Sequence, residues 1–512
     1  MNKSLIFCIL YEDTGVIARR AVYKNESNNV IVLNRAYSFA MTLPHMNYDV
    51  ISLYGCWAKE RRIDRIPMHH GVVSIGSKRT TSSATLNPFM ALAEKGATEE
   101  QGNVYGISLI YSSSFVLKAE GISDGRALVT GGINDFDFQW KLDVGEVLET
   151  PEVVIAYSSE GIGGMSRCFH DAFRNHLINP RYVKKHRPLV INNWEATYFD
   201  FTTEKLKSIA KAVEGTGIDT FVLDDGWFGN RNDDHSGLGD WVVNTRKLNG
   251  GLKEIIEYVK WDYNRNVTES YSIGREPERQ AEFSHRYALG LYDLCERIVE
   301  ANPDIFFEGC SGGGARFDPG ILYYFPQIWT SDDTDAEERT HIQYGTSIVY
   351  PLSAMSCHVS VVPNHQTHRI TPMSTRADIA HLGATGYELD TSHFNDEDRV
   401  VIRKQVQEYR EMEELILSGD LYRTENPMES NYFGFMVVSK DKKKAVLTAY
   451  RRMGSVNNEI KLLKVAGLDA EKMYYIEELD MTLKGSTLMN VGIVPKFEVG
   501  DFMTVNYMLR EA

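Results

Sequence analysis

Two short stretches carry the residues best suited to chemistry. They are Tyr258-Val259-Lys260-Trp261-Asp262-Tyr263-Asn264 and Gln327-Ile328-Trp329-Thr330-Ser331-Asp332-Asp333-Thr334-Asp335. Each joins a Trp and a carboxylate at the end of a short apolar, β-prone run. In a sheet of parallel strands the C-terminal strand ends converge on one rim, so Asp262 and Asp332 could face each other across a pocket. Two facing carboxylates are the machinery that cleaves glycosidic bonds. Lys260 and Asp262 stand two apart on a strand and so point to the same side. A cation there would keep Asp262 ionised, as a nucleophile requires, or it forms a structural ion pair. Asn264 could orient the carboxylate through its side chain.

Other segments could hold a ligand. Asp224-Asp225-Gly226-Trp227-Phe228 offers adjacent carboxylates for two hydroxyls and a flat indole for a pyranose ring, or it is an Asp-Gly turn. The loop Asp233 to Trp241 is polar, glycine-rich and long enough to cover a pocket, and it lacks calcium-loop spacing. Glu308-Gly309-Cys310-Ser311-Gly312-Gly313-Gly314 is no phosphate cradle, because the Lys-Ser/Thr of a P-loop is missing. Its glycines let backbone approach a ligand, and Cys310 has no His nearby in sequence to activate it. Asp333 and Asp335 are explained by capping of the helical stretch that follows. His365 and His368 form a loop pair with no further ligand cluster.

These residues need a scaffold, and the pattern supplies one. From Tyr11 to about Tyr157 apolar and polar residues alternate between turn signals, which predicts a β-sandwich. Near Gly164 the period becomes helical, and Arg187-Pro188 opens a different style of sequence. Strand candidates then fall at 189–194, 220–224, 258–262, 304–308, 327–331, 356–362 and 385–389. Amphipathic stretches lie between them at 203–213, 279–301 and 400–417, the last stopped by Gly419. Repeated strand–helix units predict a (β/α) barrel. After Gly419 strands return, with Lys440 to Lys444 as a solvated hairpin turn. The expected domains are a partial sandwich at 1–160, a helical linker at 161–187, the barrel at 188–419 and a small β-domain at 420–512.

At 512 residues, with 43% hydrophobic and 24% charged, the chain is ordinary globular protein of several domains. A formal charge of −15 argues against nucleic acid or an anionic membrane as partner, and a neutral substrate fits. The six cysteines contain no CxxC pair, so a zinc site or disulfide framework is not expected. The run Leu5 to Leu10 is shorter than a signal-peptide core, and no stretch reaches the ~20 residues that span a bilayer. A cytoplasmic location is the expectation.

Taken together these motifs resemble glycoside hydrolase family 36, the bacterial and fungal α-galactosidases. The likeness includes Asn193-Trp194-Glu195-Ala196-Thr197, Leu223 to Gly229, Ser236-Gly237-Leu238-Gly239-Asp240-Trp241, Val259-Lys260-Trp261-Asp262, Gly309 to Gly314, Trp329-Thr330-Ser331-Asp332 and Val362-Pro363-Asn364-His365-Gln366-Thr367. It implies an N-terminal β-supersandwich, a (β/α)8 barrel and a C-terminal β-domain. It implies Asp262 as nucleophile and Asp332 as acid/base of a retaining hydrolysis, with ~5–5.5 Å between the carboxyl groups. Trp194, Asp224, Asp225, Lys260, Asn264, Cys310, Gly312 and Trp329 are the positions that would hold the sugar. The resemblance implies raffinose- and melibiose-type α-galactosides as substrates, no metal or organic cofactor, and a homo-oligomer, often a tetramer.

The chain departs from that pattern twice. A βα unit needs ~30 residues, yet Gly250-Gly251-Leu252-Lys253 leads within a few residues to Glu257 and straight into Tyr258. The third barrel strand and its Trp are missing, which is why seven strand candidates appear and not eight. The N-terminal match also begins part-way through the sandwich, so apolar sandwich faces are expected to be exposed. A barrel without its third strand either leaves strands two and four unpaired or forces them together with a changed shear. Either outcome could separate Asp262 from Asp332. The alternative to turnover is therefore a sugar-binding remnant or truncated product of the same family.

Overall fold

The alternating N-terminal third forms an antiparallel sandwich, because a strand with one apolar face must bury it against a second sheet. An eight-stranded sheet packs on a three-stranded and a two-stranded one. Phe39, Leu92, Ile107, Leu117, Val129 and Trp140 lie in the core between them. The structure, a computed structural model, describes residues 3–183, 185–237, 240, 242–248, 258–457 and 460–512. The edge strand β1 (Lys3–Tyr11) pairs along its length with Val16–Lys24. It leaves Leu5, Ile6, Phe7, Ile9 and Leu10 exposed on both of its faces, as expected.

At the opposite edge of the large sheet, β2 (Tyr48–Cys56) and β3 (Lys59–Pro67) form a hairpin with Trp57-Ala58 at its tip. The register shifts between Tyr54 and Cys56, and Ala58 and Arg61 adopt left-handed backbone, φ +64° and +53°. Such non-glycine conformations persist only where surroundings hold them. Here the hairpin leaves the sandwich and seats on the barrel rim.

Among the described residues the barrel contains seven parallel strands: β4 (Val190–Asn192), β5 (Thr220–Val222), β6 (Tyr258–Trp261), β7 (Phe306–Gly309), β8 (Gln327–Trp329), β9 (Met355–Ser360) and β10 (Ala384–Glu388). All seven expected strands are present, most of them slightly shorter than the sequence suggests. Helices at Thr203–Ala212, Phe283–Ala301, Ala336–Thr346 and Asp396–Ser418 cover the outside. The last begins with a reciprocal cap between Asn395 and Asp398.

The hydrogen-bonded order is β5-β4-β10-β9-β8-β7-β6, so β5 and β6 are the two ends of the sheet. No ladder joins them among the described residues, although their Cα atoms approach within 8 Å. Two strand spacings would hold them ~9.5 Å apart. The seam is thus narrower than a strand and still unpaired, which lies between the two expected outcomes. The segment 249–257 lies outside the described residues.

Beyond Asp420 a six-stranded antiparallel sheet forms, and Ser439 N–H donates to the Lys444 carbonyl across the lysine-rich turn. All six cysteines are free. Among the described residues no helix is long and apolar enough to cross a membrane.

Candidate active site

Three adjacent strands, β6, β7 and β8, place the two carboxylates. Trp261 of β6 pairs with Gly309 of β7, and Gly309 pairs with Ile328 of β8. Asp262 follows β6 directly, the glycine loop follows β7, and Asp332 lies three residues beyond β8. Gly312, at φ +50°, donates its N–H to Asp262 Oδ1 at 3.1 Å and to Asn264 Oδ1 at 2.7 Å. Gly313, at φ +73°, leaves no room for a Cβ, which would fall 2.8 Å from Asp332 N and 3.3 Å from its carboxyl carbon. Consecutive left-handed residues in such close quarters admit only glycine. The loop therefore touches Asp262 on one side and Asp332 on the other.

Asp332 is held at both oxygens. Trp329 donates its indole N–H to Oδ1 at 3.0 Å and Trp57 donates its own to Oδ2 at 2.7 Å. Gln366 Nε2 donates to the Asp332 carbonyl at 3.0 Å. Each carboxyl oxygen keeps a second lone-pair site for a proton.

A buried ion pair forms the floor. Lys260 Nζ meets Asp224 Oδ2 at 2.7 Å, with side chains 8% and 9% exposed. Asn192 donates to the same oxygen at 2.7 Å. Burial opposes charge on both partners, and their attraction outweighs it. The Asp224 carboxyl lies below its ordinary range and the Lys260 ammonium well above its own. Asp262 has no such partner to itself. Burial raises it to about 6, aided by Asp332 and Asp224 and opposed by Lys260 and the Gly312 N–H. Burial, with Asp262 adding to it, also pushes the Cys310 thiol well above its usual value. It is therefore a protonated packing group and no nucleophile.

The remaining expected residues gather at the same rim. Asp225 accepts from the Arg231 Nε at 2.6 and 2.8 Å and from its terminal nitrogen at 2.6 Å. Trp194, partly buried, follows β4 and meets Tyr198 and Phe199 edge-on. Asn264 is exposed. Trp329 is 2% exposed, with the Lys260 ammonium 4.8 Å and the Arg339 guanidinium 4.9 Å from its ring, so it reaches the site only through its N–H. Trp227 packs with Phe201, Leu206 and Leu248 in a small cluster. His365 sits 3.2 Å from Glu195. Leu238, Gly239 and Trp241 of the covering loop lie outside the described residues.

Sequence reasoning missed Trp57, Glu60 and Arg61. Glu60 accepts from Ser331 Oγ at 2.5 Å. Arg61 donates to Thr346 Oγ1 at 2.6 Å, to the Gly314 carbonyl at 3.1 Å and to the Thr330 carbonyl. The available signal was a lone Trp at a hairpin tip followed by Lys-Glu-Arg-Arg, which reads equally well as a solvated turn.

A parallel barrel with two carboxylates at its C-terminal rim, above a buried lysine–aspartate floor, is the build of a barrel glycoside hydrolase. The Melibiase profile matches residues 147–258 and 253–419. The glycosyl hydrolase family 36 N-terminal domain matches 6–143 and the C-terminal domain 433–509. The two Melibiase segments overlap at residues 253–258, beside the stretch where the sequence leads to the expectation of a missing βα unit. The chain is 40% identical to α-galactosidase AgaA of Geobacillus stearothermophilus, over 98% of this chain and 79% of that protein. It is 38% identical to α-galactosidase Mel36A of Lactobacillus acidophilus, over 100% and 80%. The crystal structure of AgaA superposes with a TM-score of 0.97 at 39% identity, covering 100% of this chain and 81% of that one. A variant of AgaA in complex with raffinose gives the same score, identity and coverage. The chain belongs to glycoside hydrolase family 36.

Proposed function

We propose that the protein is a retaining α-galactosidase that removes terminal α-D-galactosyl units from sugars such as raffinose and melibiose, with Asp262 as nucleophile and Asp332 as acid/base. The observation that carries this is the Gly312-Gly313 bridge, which touches both carboxylates. One Asp262 oxygen accepts the Gly312 N–H, and the other, which accepts no hydrogen bond among the described residues, attacks C1. As the new C1–O bond forms, the glycosidic C1–O bond breaks and Asp332 gives its proton to the leaving oxygen. Asp332 then takes a proton from water, whose oxygen attacks C1 and releases Asp262. Two displacements give net retention. Asp224, Asp225, Lys260 and Trp194 are the sugar contacts in this reading. Cys310 and Gly312 shape the wall, Asn264 orients the loop, and Trp329 acts through Asp332.

Relatives named α-galactosidase and an AgaA variant crystallised with raffinose support the substrate class. Assembly as a homo-oligomer and a cytoplasmic location belong to the same reading. Light scattering and fractionation check them.

Hydrolysis of p-nitrophenyl α-D-galactopyranoside tests the reading, with Asp262→Ala and Asp332→Ala as controls and circular dichroism on all three proteins. Activity in the parent that is lost with Asp262→Ala supports it. A well-folded parent without activity overturns it in favour of the sugar-binding remnant, and an unfolded parent overturns it in favour of a truncated product.

A further inference from the structure

The β2–β3 hairpin brings more than Trp57 to the rim. Glu60 is fully buried and lies between the two loops that carry the chemistry. One oxygen accepts from Ser331 Oγ at 2.5 Å, and the other faces the Gly314 N–H at 3.4 Å. Ser331 Oγ in turn accepts the Asp333 N–H at 3.1 Å, so its own proton is directed at Glu60. A Cβ built on Gly313 would stand 2.9 Å from Glu60 Oε1 and 2.8 Å from Asp332 N. Glu60 thus touches the residue before Asp332, and it also backs the glycine loop that bridges to Asp262. Beside it Arg61 pins the Thr330 and Gly314 carbonyls, and Arg62 pairs with Glu338 at 2.7 Å. Glu60 and Arg61 form a buried clamp, contributed by the sandwich, on the segment that ends in Asp332.

We propose that Glu60 is a positioning residue for Asp332: by holding Ser331 and the glycine loop together, it fixes the direction in which the Asp332 carboxyl meets the leaving oxygen. This rests on the reading of Asp332 as the acid/base. Correct aim of a general acid contributes ~10²–10⁴-fold, and ~1 Å of misplacement is enough to lose ~10². A substrate whose leaving group needs no proton is spared that loss in its first step.

The test is Glu60→Gln. The amide keeps the shape but places an NH2 against one of the two donors, Ser331 O–H or Gly314 N–H. The expected result is a ~10–100-fold fall in kcat/KM for raffinose, with less than ~3-fold for p-nitrophenyl α-galactoside. Azide is expected to restore turnover of the aryl substrate, yielding α-galactosyl azide. Equal losses on both substrates with no azide response would mean that Glu60 is only structural, and the proposal falls. Asp332→Ala run alongside separates the two claims. If it shows the leaving-group split and azide rescue while Glu60→Gln does not, only the Glu60 role fails. If Asp332→Ala shows neither, the acid/base reading itself fails. Should Glu60→Gln not fold, Ser331→Ala carries the test: the same split supports the proposal and an even loss overturns it.

Discussion

Replacing Asp262 should make this protein more stable, and the size of the gain follows from the site. Asp262 is raised to about 6, first by burial and then by Asp332 and Asp224, whereas in an unfolded chain it titrates near 3.9. The sign follows directly. Below about pH 4 both states hold the proton and folding loses nothing. Between about 4 and 6 the unfolded state releases the proton and the native state does not, so stability falls as pH rises. Above 6 both are ionised and the full penalty stands, about 2 pKa units or ~3 kcal/mol. Asp262→Asn carries no charge at any pH, and its amide oxygen can still accept the Gly312 N–H. The variant is therefore expected to be more stable than the parent by ~3 kcal/mol at pH 7 and by ~1.5 kcal/mol at pH 5. With ~2.1 cal/mol/K of unfolding entropy per residue, ~3 kcal/mol raises Tm by ~3 °C if the whole chain unfolds together, and by ~6 °C if the barrel unfolds alone. Scanning calorimetry of both proteins at pH 5 and 7 reads it. A variant no more stable at pH 7, or equally stabilised at both pH values, would refute the reasoning.

Lys260→Met removes the cation that holds the Asp262 carboxyl down, so, with Asp262 in its proposed role, the acid limb of kcat/KM, expected near pH 6 in the parent, moves to higher pH. It also leaves Asp224 buried without its partner, which destabilises by ~3–5 kcal/mol, visible in urea unfolding. Arg231→Ala strips Asp225 of its three short bonds and is expected to raise KM for the galactoside about tenfold, the worth of ~1.4 kcal/mol, with a smaller change in kcat. Gly345→Ala drives a Cβ into the Arg61 carbonyl oxygen. Overpacking of this kind costs ~1–3 kcal/mol and lifts the hairpin off the rim, so activity should fall more steeply than Tm. Unchanged raffinose turnover in that variant would count against any role for the hairpin.

Strands β4 to β10 were legible because parallel strands covered on both faces read as short apolar runs ended by polar residues. The positions of Asp262, Asp332 and the glycine loop follow from those ends alone. What the sequence hides is contact over distance. Trp57 meets Asp332 across 275 positions, and the residue types in Trp-Ala-Lys-Glu-Arg-Arg are those of any exposed turn. Trp227 is a second case. An indole beside two carboxylates suggests a sugar platform, and the structure adds that this partly buried ring also packs against Phe201, Leu206 and Leu248, a contact over distance that burial of apolar surface favours.

The count of seven barrel strands found among the described residues was also legible, but its consequence was not. Loss of a barrel strand threatens whatever its neighbours position, and either outcome expected from the sequence could separate Asp262 from Asp332. The topology answers this. Both residues and the loop between them rest on β6, β7 and β8, which are joined by continuous ladders, and the seam opens on the far side of β6. What the seam separates is the carboxylate pair from Asp224, Asp225 and Trp194, which rest on β5 and β4. Side chains bridge where backbone does not: Lys260 leaves β6 and meets Asp224 beyond β5 at 2.7 Å. A buried pair under 10% exposed is held far more firmly than a surface one. It ties Asp224 beyond β5 to Lys260 on β6 where no ladder joins the two strands among the described residues. In the proposed reading, the placement of Asp262 and Asp332 therefore rests on paired strands, and the sugar contacts on β4 and β5 are tied to it through the Lys260–Asp224 bridge.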